Sequence, residues 1–342
     1  MEGADLQGEE ISECAAEIVE GKATPAQVGA FLVALRQKGE TVQEIASLAA
    51  TLRKYSLRIT PSVNGRLVDT CGTGGDKVKT FNVSTVSAFV AAGAGACVAK
   101  HGNRSVTSRC GSADLLERLG FNIGVEPTRV KESIEQIGIG FMFAPVFHPA
   151  MKRVGPVRRE LGVRTVFNLM GPLINPAGAD SQVVGVYSPE LVEKVALSLR
   201  MLGSREAMVV HAVEGMDEIS VSGSTLIARL KDGIVEMREY APADFGVSAK
   251  VRPNAVVSGV EESASIALEV LQGRPKRDGV VQMVIANSAA ALVVAGKAER
   301  LDEGVELAKE SVDSGAAYDK LEQLVRFSGG DTSRIEVFAK NQ

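Results

Sequence analysis

Residues 69–85, with the sequence DTCGTGGDKVKTFNVST, predict a strand end, a glycine-rich loop and the start of a helix in direct succession. Three glycines without Cβ atoms, Gly72, Gly74 and Gly75, allow several backbone N–H groups to turn toward one anion. The N-terminus of the following helix would add unpaired N–H donors and the positive end of its dipole. The segment therefore predicts a phosphate cradle in an α/β fold, and a plain tight turn is the alternative.

The loop matches neither of the common nucleotide-binding motifs. It lacks the Gly-Lys-Ser/Thr end of a P-loop and the Gly-x-Gly-x-x-Gly spacing of dinucleotide-binding folds. Asp76 places a carboxylate beside the predicted phosphate. The two negative groups repel each other unless the carboxylate binds a cation or a sugar hydroxyl. Asn82, Ser84 and Thr85 offer polar caps before the apolar run 86–92. Together these residues indicate a sugar phosphate that is bound with a metal ion.

The composition of the chain limits the partners that it can bind and indicates the compartment in which it is located. The chain has 342 residues and a net charge of −4, which argues against nucleic-acid and membrane-surface partners. Its acidic start, MEGADLQGEE, does not resemble a signal peptide, and the longest small-apolar stretch, 86–99, is too short to span a bilayer. Four cysteines without C-x-x-C spacing indicate reduced thiols. We therefore expect a cytoplasmic protein.

The chain is expected to divide into a helical domain, 1–66, and an α/β domain, 67–342. TPAQ at 24–27 and TVQE at 41–44 are capping boxes that open helices. Three short helices bury little among themselves, so their apolar faces must pack on the rest of the chain, either alone or together with a partner subunit. After residue 66, strands and helices alternate, which predicts a mostly parallel central sheet flanked by helices. Prolines and glycines in 151–178 break this alternation and indicate a return to the helical domain.

A polar loop follows the predicted strand 96–99. KHGNR at 100–104 stands where α/β sheets place ligand loops. Four hydroxyl residues extend this loop: Ser105, Thr107, Ser108 and Ser112. Ser112 is expected to cap the next helix. The cluster suits an anion, and the alternative is a solvated polar loop.

Two further sets of charged residues could bind a ligand: the acidic pair Asp217-Glu218 and the arginine Arg158. Asp217 and Glu218 lie just beyond the strand predicted to end at His211, where they would bind magnesium or form a surface turn. Arg158 could form a bidentate pair with a carboxylate, through two of its guanidinium nitrogens. A helical arginine can also be solvated or pair with a neighbour such as Glu160. The residues alone leave both alternatives open.

Five ordered regions make the chain similar to a known enzyme family: GTGGD (72–76) with TFNVST (80–85), KHGNRSVTSRCGSADLLE (100–117), VRRELGVRTVFNLMGPLINP (157–176), GMDEIS (215–220) and ANSAAAL (286–292). They resemble anthranilate phosphoribosyltransferase over essentially the whole chain. The resemblance implies a small helical domain, a large α/β domain and an active site at the hinge between them. It also implies a homodimer joined through the helical domains, which uses anthranilate and 5-phosphoribosyl 1-diphosphate in tryptophan biosynthesis.

The resemblance further implies the roles of individual residues. The expected site for 5-phosphoribosyl 1-diphosphate consists of Gly72, Gly75, Asp76, Thr80, Asn82, Val83, Ser84, Thr85, Lys100, His101, Gly102, Asn103, Arg104, Ser105, Thr107, Ser108 and Ser112. The expected anthranilate contacts are Gly72, His101, Asn103 and Arg158. The expected magnesium ligands are Ser84, Asp217 and Glu218. The resemblance thus favours a metal site over a surface turn at residues 217 and 218.

The chain departs from the family pattern in two places, and two other functions stay open. Lys77-Val78-Lys79 follows GTGGD where small residues are common, and Cys71 and Cys110 are unexpected. Pyrimidine nucleoside phosphorylases share the architecture and the glycine-rich signatures, but Arg158 with the Asp-Glu pair favours the phosphoribosyltransferase. A non-catalytic relative that binds nucleic acid would have a basic surface and an eroded GTGGD, and this chain has neither.

Overall fold

The computed structural model describes residues 3–75, 78, 80–105, 109–247, 255–274 and 277–340. Three residues that the resemblance assigns to the site, Asp76, Thr107 and Ser108, lie outside these ranges, as do Lys77 and Lys79.

Helices form the N-terminal part, as predicted: α1 (Gly8–Glu20), α2 (Pro25–Lys38) and α3 (Val42–Lys54). Both predicted capping boxes are confirmed. The Gln27 N–H donates to Thr24 Oγ1 over 3.3 Å, and the Thr24 N–H donates to Gln27 Oε1 over 2.8 Å. The same exchange joins Thr41 and Glu44, over 3.2 and 2.8 Å. These reciprocal bonds satisfy N–H groups that would otherwise lack partners, so α2 and α3 begin at the expected residues.

The described strands form one sheet: β1 (Leu67–Gly72), β2 (Cys97–Gly102), β3 (Ile139–Phe143), β4 (Ser181–Gly185), β5 (Glu206–Ala212), β6 (Thr225–Lys231) and β7 (Ile234–Tyr240). The strand order is β3-β2-β1-β4-β5-β6-β7. β1 to β5 run parallel and β6 and β7 are antiparallel, which confirms the mostly parallel sheet. The predicted hairpin is also confirmed, because Asp232 and Gly233 have φ values of 51° and 79° between β6 and β7.

The remaining helices are α4 (Val83–Gly93), α5 (Ser112–Arg118), α6 (Pro127–Ile137), α7 (Ala144–Phe147), α8 (Val154–Leu161), α9 (Phe167–Leu173), α10 (Glu190–Met201), α11 (Val260–Leu271), α12 (Asp278–Val294), α13 (Leu301–Asp313), α14 (Ala316–Phe327) and α15 (Ser333–Lys340). α4 contacts α12, α13 and α14 and is apolar on all sides, as expected of a helix inside the core. Along the described ranges, no helix combines the length and the apolar character that crossing a bilayer requires.

The segment 149–173 consists of short helices that pack on the N-terminal helices. A turn of 3₁₀ helix at 149–153 contacts α1, and α8 contacts α2. Val157 and Phe167 share a hydrophobic cluster with Leu32 of α2 and with Val184 and Val209 of the sheet. The apolar faces of α1 to α3 therefore pack on their own chain, one of the two options that the sequence left open. The domain boundary at residue 66 stays a prediction, because the N-terminal helices share their core with one face of the sheet.

Candidate active site

The predicted site segments meet at the carboxyl edge of the sheet. Gly72, the last residue of β1, pairs with Gly185 at the end of β4, and Gly102 ends β2. The turn that carries Asp217 follows β5. Parallel strands open their ligand sites at this edge because the connecting loops leave it on the same side. The glycine-rich loop, the loop after β2 and the acidic turn therefore lie together.

Asp217 lies against the glycine-rich loop. Its Oδ2 accepts a hydrogen bond from the Gly74 N–H over 2.9 Å, and the residue is only 9% exposed. A Cβ atom on Gly72 would lie 2.5 Å from Oδ2, and one on Gly185 would overlap the Asp217 carbonyl oxygen. Both strands must therefore end in glycine for the acidic turn to approach the loop.

Glu218 contacts the N-terminus of α4, the helix that follows β1. Its Oε1 accepts from the Ser84 N–H over 3.2 Å, and the Ser84 carbonyl accepts from Thr70 Oγ1 over 2.8 Å. Burial raises the pKa of Asp217, whereas the Gly74 N–H lowers it. Two carboxylates thus lie beside the loop and the helix N-terminus. Within the described ranges, no group of three His, Cys, Asp or Glu residues is arranged to hold a metal ion.

Lys100 is buried beneath the glycine-rich loop. The residue is 4% exposed, and its Nζ donates to the Thr70 carbonyl over 2.5 Å. A lysine ammonium has three donors, and this bond occupies one of them. The charge is therefore held close to the end of β1 by backbone contact.

The start of α4 differs from the prediction in one respect. Asn82 occupies the N-cap position of α4, but its side chain makes no capping hydrogen bond. Its Nδ2 donates to the Cys110 carbonyl over 3.1 Å, and its Oδ1 accepts from Ser263 Oγ over 2.8 Å. The capping role predicted for Asn82 is thus wrong, because residues far along the chain use both ends of the amide.

The other residues of this segment are held by their surroundings. Val83, the first residue of α4, is buried, and the buried Thr85 Oγ1 has no partner among the described residues. Ser84 and Thr85 lie inside the first turns of α4, so they do not cap it either. Thr80 forms an isolated antiparallel bridge with Val256.

The loop after β2 is fixed by α5. The N-cap of α5 is Gly111, so the prediction that Ser112 caps the helix is wrong by one position. Ser112 is the first helical residue, and its Oγ donates to the Asn103 carbonyl over 3.3 Å. Asp114 Oδ2 accepts from the N–H groups of Ser105 and Gly111, over 2.9 Å each. The Asp114 carboxylate therefore fixes the start of α5, a role that was predicted for the Ser112 hydroxyl.

Arg104 is directed toward α5. Its guanidinium forms ion pairs with Glu117 over 2.7 Å and with Asp114 over 3.0 Å. These bonds raise the pKa of Arg104 and lower the pKa of Glu117. In this arrangement two carboxylates already satisfy the guanidinium, which distinguishes Arg104 from the other predicted anion ligands.

His101 belongs to a buried polar network. Its Nδ1 lies 3.0 Å from the Gly171 carbonyl and must carry the proton, because a carbonyl only accepts. Its backbone N–H donates to Asp69 Oδ1 over 3.2 Å, and Asn175 Nδ2 donates to Asp69 Oδ2 over 2.8 Å. The His148 ring lies 4.9 Å from the His101 ring, centre to centre. No role was predicted for Asn175 or His148, although both are polar residues among apolar neighbours in the sequence.

Both imidazoles are buried and neutral. The Nε2 atoms of His101 and His148 are buried, and neither has a partner among the residues described. Burial lowers the pKa of both side chains, to about 3 in His148. Because Nδ1 of His101 carries the proton, its Nε2 could accept a hydrogen bond from a bound ligand.

Arg158 lies on α8 and is half-buried. Its Cζ lies 6.0 Å from the centre of the Phe167 ring, and burial lowers its pKa. It forms no ion pair with any residue in the described part of the chain, so the suggested pairing with Glu160 is not observed. A partly desolvated guanidinium without a carboxylate partner favours an anionic ligand.

Arg164, which the sequence analysis did not single out, contacts the glycine-rich loop. It follows α8, and its Nη2 donates to the Gly75 carbonyl. Its Cζ lies 4.3 Å from the centre of the Tyr187 ring. The motif VRTVFN contains this arginine, but no local pattern distinguishes it from a solvated one.

Comparisons with known proteins agree with this geometry. A model of a glycosyl transferase family, a/b domain, matches residues 64–318, and a model of a glycosyl transferase family, helical bundle domain, matches residues 1–56. Anthranilate phosphoribosyltransferase of Desulfosudis oleivorans is 50% identical over 328 residues, which cover 95% of each chain. The enzyme of the same name from Anaeromyxobacter dehalogenans is 51% identical over 325 residues, with the same coverage of both chains.

Solved structures show the same fold. The crystal structure of anthranilate phosphoribosyltransferase from Thermus thermophilus superposes with a TM-score of 0.89 at 42% identity, covering 96% of this chain and 97% of the other. The Saccharomyces cerevisiae enzyme in complex with PRPP and Mg gives a TM-score of 0.84 at 28% identity, covering 95% of this chain and 94% of the other. Because identity and fold agree over nearly the full length, the chain belongs to the anthranilate phosphoribosyltransferase family.

Proposed function

We propose that this protein transfers the 5-phosphoribosyl group of 5-phosphoribosyl 1-diphosphate to the amine of anthranilate, as a step of tryptophan biosynthesis. The products are N-(5-phosphoribosyl)anthranilate and diphosphate. One observation carries the proposal: Asp217 and Glu218 contact the glycine-rich loop and the N-terminus of α4 over 2.9 and 3.2 Å. A phosphate cradle beside two carboxylates suits an anionic substrate that arrives with a divalent cation.

Ser84, Asp217 and Glu218 would hold magnesium. All three supply oxygen donors, and the raised pKa of Asp217 reflects a buried carboxylate that a nearby cation would stabilise. Two carboxylates do not complete a magnesium shell, so diphosphate oxygens are expected to fill the remaining positions. A bound magnesium ion would supply charge neutralisation on the leaving diphosphate. The yeast relative in complex with PRPP and Mg supports this assignment.

The chain's own groups would hold the phosphoribosyl diphosphate. The Gly75 N–H and the buried Thr85 hydroxyl, which has no partner among the described residues, would donate to its phosphates, and Lys100 would add positive charge. The bond from ribose C1 to the diphosphate oxygen breaks as the new C1–N bond forms, so negative charge grows on the leaving group. Donors already fixed by β1 and α4 stabilise that charge without reorganising.

Anthranilate would bind between Arg158, His101, Asn103 and Gly72. Arg158 would hold the carboxylate of anthranilate, and the neutral His101 would accept a hydrogen bond at Nε2. The aromatic amine has a free lone pair at neutral pH, so positioning rather than a strong base is required. A solved complex of the yeast relative with 4-fluoroanthranilate supports a binding site for this class of acid.

The protein is further proposed to be a homodimer and to lie in the cytoplasm. We propose a homodimer joined through the N-terminal helices, where Val33 of α2 leaves an apolar side chain 43% exposed. None of the four cysteines forms a disulfide with another described residue, which suits the reducing cytoplasm.

A single assay tests the activity. The purified protein is incubated with magnesium, 5-phosphoribosyl 1-diphosphate and anthranilate, and the loss of anthranilate fluorescence is followed. Omission of either the metal or the diphosphate substrate should abolish the signal change. Phosphorolysis of a pyrimidine nucleoside in place of this reaction would support the nucleoside phosphorylase alternative, and nucleic-acid binding without turnover would support the non-catalytic one.

A further inference from the structure

The guanidinium of Arg164 lies directly against the glycine-rich loop. Besides the bond from Nη2 to the Gly75 carbonyl, its Nε would be 3.2 Å from a Cβ atom at residue 75. Gly75 has a φ of 77°, which L side chains rarely adopt. The loop backbone is thus turned at Gly75 so that its carbonyl faces the arginine. The Thr73 and Gly74 N–H groups donate to Gly185 and Asp217, which leaves the Gly75 N–H to face a ligand.

Tyr187 contacts both the guanidinium and the loop. Its ring lies 4.3 Å from Arg164 Cζ, within the range of a cation–π contact. Its backbone N–H donates to Thr73 Oγ1 over 3.2 Å, two residues before Gly75. The same loop is anchored at Thr73, whose N–H donates to the Gly185 carbonyl over 2.8 Å. Arg164 therefore holds the loop at Gly75, and Tyr187 and the β4 backbone hold it at Thr73.

Arg36 connects this contact to the N-terminal helices. Its Nη1 donates to the Arg164 carbonyl over 2.5 Å, and Arg36 lies in the last turn of α2. A movement of α2 would therefore shift the backbone of Arg164 and, through its guanidinium, the Gly75 carbonyl. The hydrogen bonds form a continuous path from the helical part to the loop proposed to bind the diphosphate.

We propose that Arg164 is a positioning residue for the phosphoribosyl diphosphate site, which couples α2 to the glycine-rich loop. It acts on the substrate through Gly75 and does not contact it. By fixing the Gly75 carbonyl toward itself, Arg164 keeps that acceptor from facing the phosphates and leaves the Gly75 N–H to donate to them. The inference rests on the proposed function, because the loop is assigned to this substrate.

The first test replaces Arg164 and measures steady-state kinetics. Arg164→Met should raise the KM for phosphoribosyl diphosphate about tenfold, because a charge-assisted hydrogen bond that fixes the loop is lost. The KM for anthranilate and the melting temperature without substrates should change little. Arg164→Lys should recover only part of the loss, since an ammonium lacks the planar surface that stacks on Tyr187.

Two further variants separate positioning from direct binding. Arg36→Met should raise the same KM about threefold, because Arg36 donates to the Arg164 carbonyl and the path to the loop begins there. In the Arg164→Met background, Arg36→Met should add almost nothing, because the path is already broken. Arg159→Met, which removes an exposed charge from α8, is the matched control and should leave both KM values unchanged.

The results of these experiments distinguish failure of the Arg164 positioning role from failure of the proposed enzymatic activity. A wild-type protein that neither binds nor turns over phosphoribosyl diphosphate overturns both the function and the inference. An active wild type with an unchanged Arg164→Met variant overturns only the inference. Full rescue by lysine, or strict additivity of the two arginine substitutions, would show that Arg164 acts through its charge on the substrate itself, and would overturn the positioning role.

Discussion

Arg158 and Asp217 are charged side chains, one half-buried and one buried, that form no ion pair with the described residues. Burial lowers the pKa of Arg158 and raises the pKa of Asp217. In both residues, the surroundings therefore disfavour the charged form of the side chain. Leaving a desolvated charge unpaired costs stability, and a ligand of opposite charge offsets this cost. The carboxylate of anthranilate and a metal cation are the partners proposed for Arg158 and Asp217.

Arg158→Ala should weaken anthranilate binding with little effect on the other substrate. The lost carboxylate pair contributes on the order of 2 kcal/mol, so the KM for anthranilate should rise roughly thirtyfold. The carboxylate charge hardly changes on the way to the transition state, so kcat should move less. Steady-state kinetics check this, with Arg159→Ala as the control. An unchanged anthranilate KM would remove Arg158 from the site.

Asp217→Asn combined with Glu218→Gln should remove most activity at low magnesium while the fold survives. The amides keep the shapes of the side chains but lose the negative charge that binds the cation. Turnover is measured against magnesium concentration, and the melting temperature serves as the check on folding. The assignment fails if the magnesium dependence of the variant equals that of the wild type.

His148 should make the protein less stable as the pH falls. Its pKa is about 3 in the fold, below its ordinary value near 6.5, because burial disfavours the charged ring. Below pH 6.5 the unfolded chain binds a proton that the folded chain does not, so stability is present at neutral pH and lost on acidification. His101, whose pKa is also lowered by burial, acts in the same direction.

The His148 contribution is measurable by difference. Between pH 6 and 4 the free energy of unfolding of the wild type should fall by about 1.4 kcal/mol per pH unit more than that of His148→Gln. Urea unfolding at several pH values gives both curves. Parallel curves would mean that the ring is protonated equally in the folded and unfolded chains.

Among the secondary-structure elements, the ends of β1 and β4 have the strictest local requirement. Gly72 and Gly185 pair across the two strands, and Asp217 occupies the space that side chains would need. The glycines are therefore required by the close approach of the acidic turn rather than by their own backbone angles.

Gly185→Ala should destabilise the protein by about 3 kcal/mol and reduce its affinity for magnesium. The added methyl would overlap the Asp217 carbonyl and push the acidic turn away from the loop. Gly155→Ala, in α8 with no close neighbour but the tip of Arg159, should be neutral or slightly stabilising. Thermal unfolding compares the two variants. A Gly185→Ala protein as stable as the wild type would contradict the observed packing.

On the scale of the whole molecule, the N-terminal helices, the segment 149–173 and one face of the sheet form a common hydrophobic cluster. The candidate site lies at the carboxyl edge of that sheet, and Arg164, between α8 and α9, reaches its glycine-rich loop. Asp217, from the turn after β5, bonds to the same loop. Parts of the chain that are distant in sequence therefore bring opposite charges to one loop.

The chain should be a dimer in solution. Val33 on α2 is 43% exposed, and burial against a second copy would remove its apolar surface from water. Sedimentation equilibrium at micromolar concentration should give twice the chain mass, and Val33→Asp should lower it toward one chain. Met201→Asp, at the end of α10 and 48% exposed, is the control. A monomeric wild type would exclude this assembly.

The local patterns of the sequence determined the elements and the type of site. Capping boxes at Thr24 and Thr41 set the starts of two helices because their bonds join residues only three apart. Asp232-Gly233 set the hairpin because few residues adopt its backbone angles. The motif GTGGD and its companions indicated the family, and the comparisons confirmed it.

The tertiary structure decided which side chains meet. Asn82 bonds to Ser263, 181 residues away, and so does not cap α4, while Asp114 replaces Ser112 in fixing the start of α5. Arg164 reaches Gly75 across 89 residues. Such contacts depend on how β1, β4 and the returning helices pack, and no local pattern encodes that packing. Backbone preferences act over a few residues, whereas the partners of buried charges are set by burial of the whole chain.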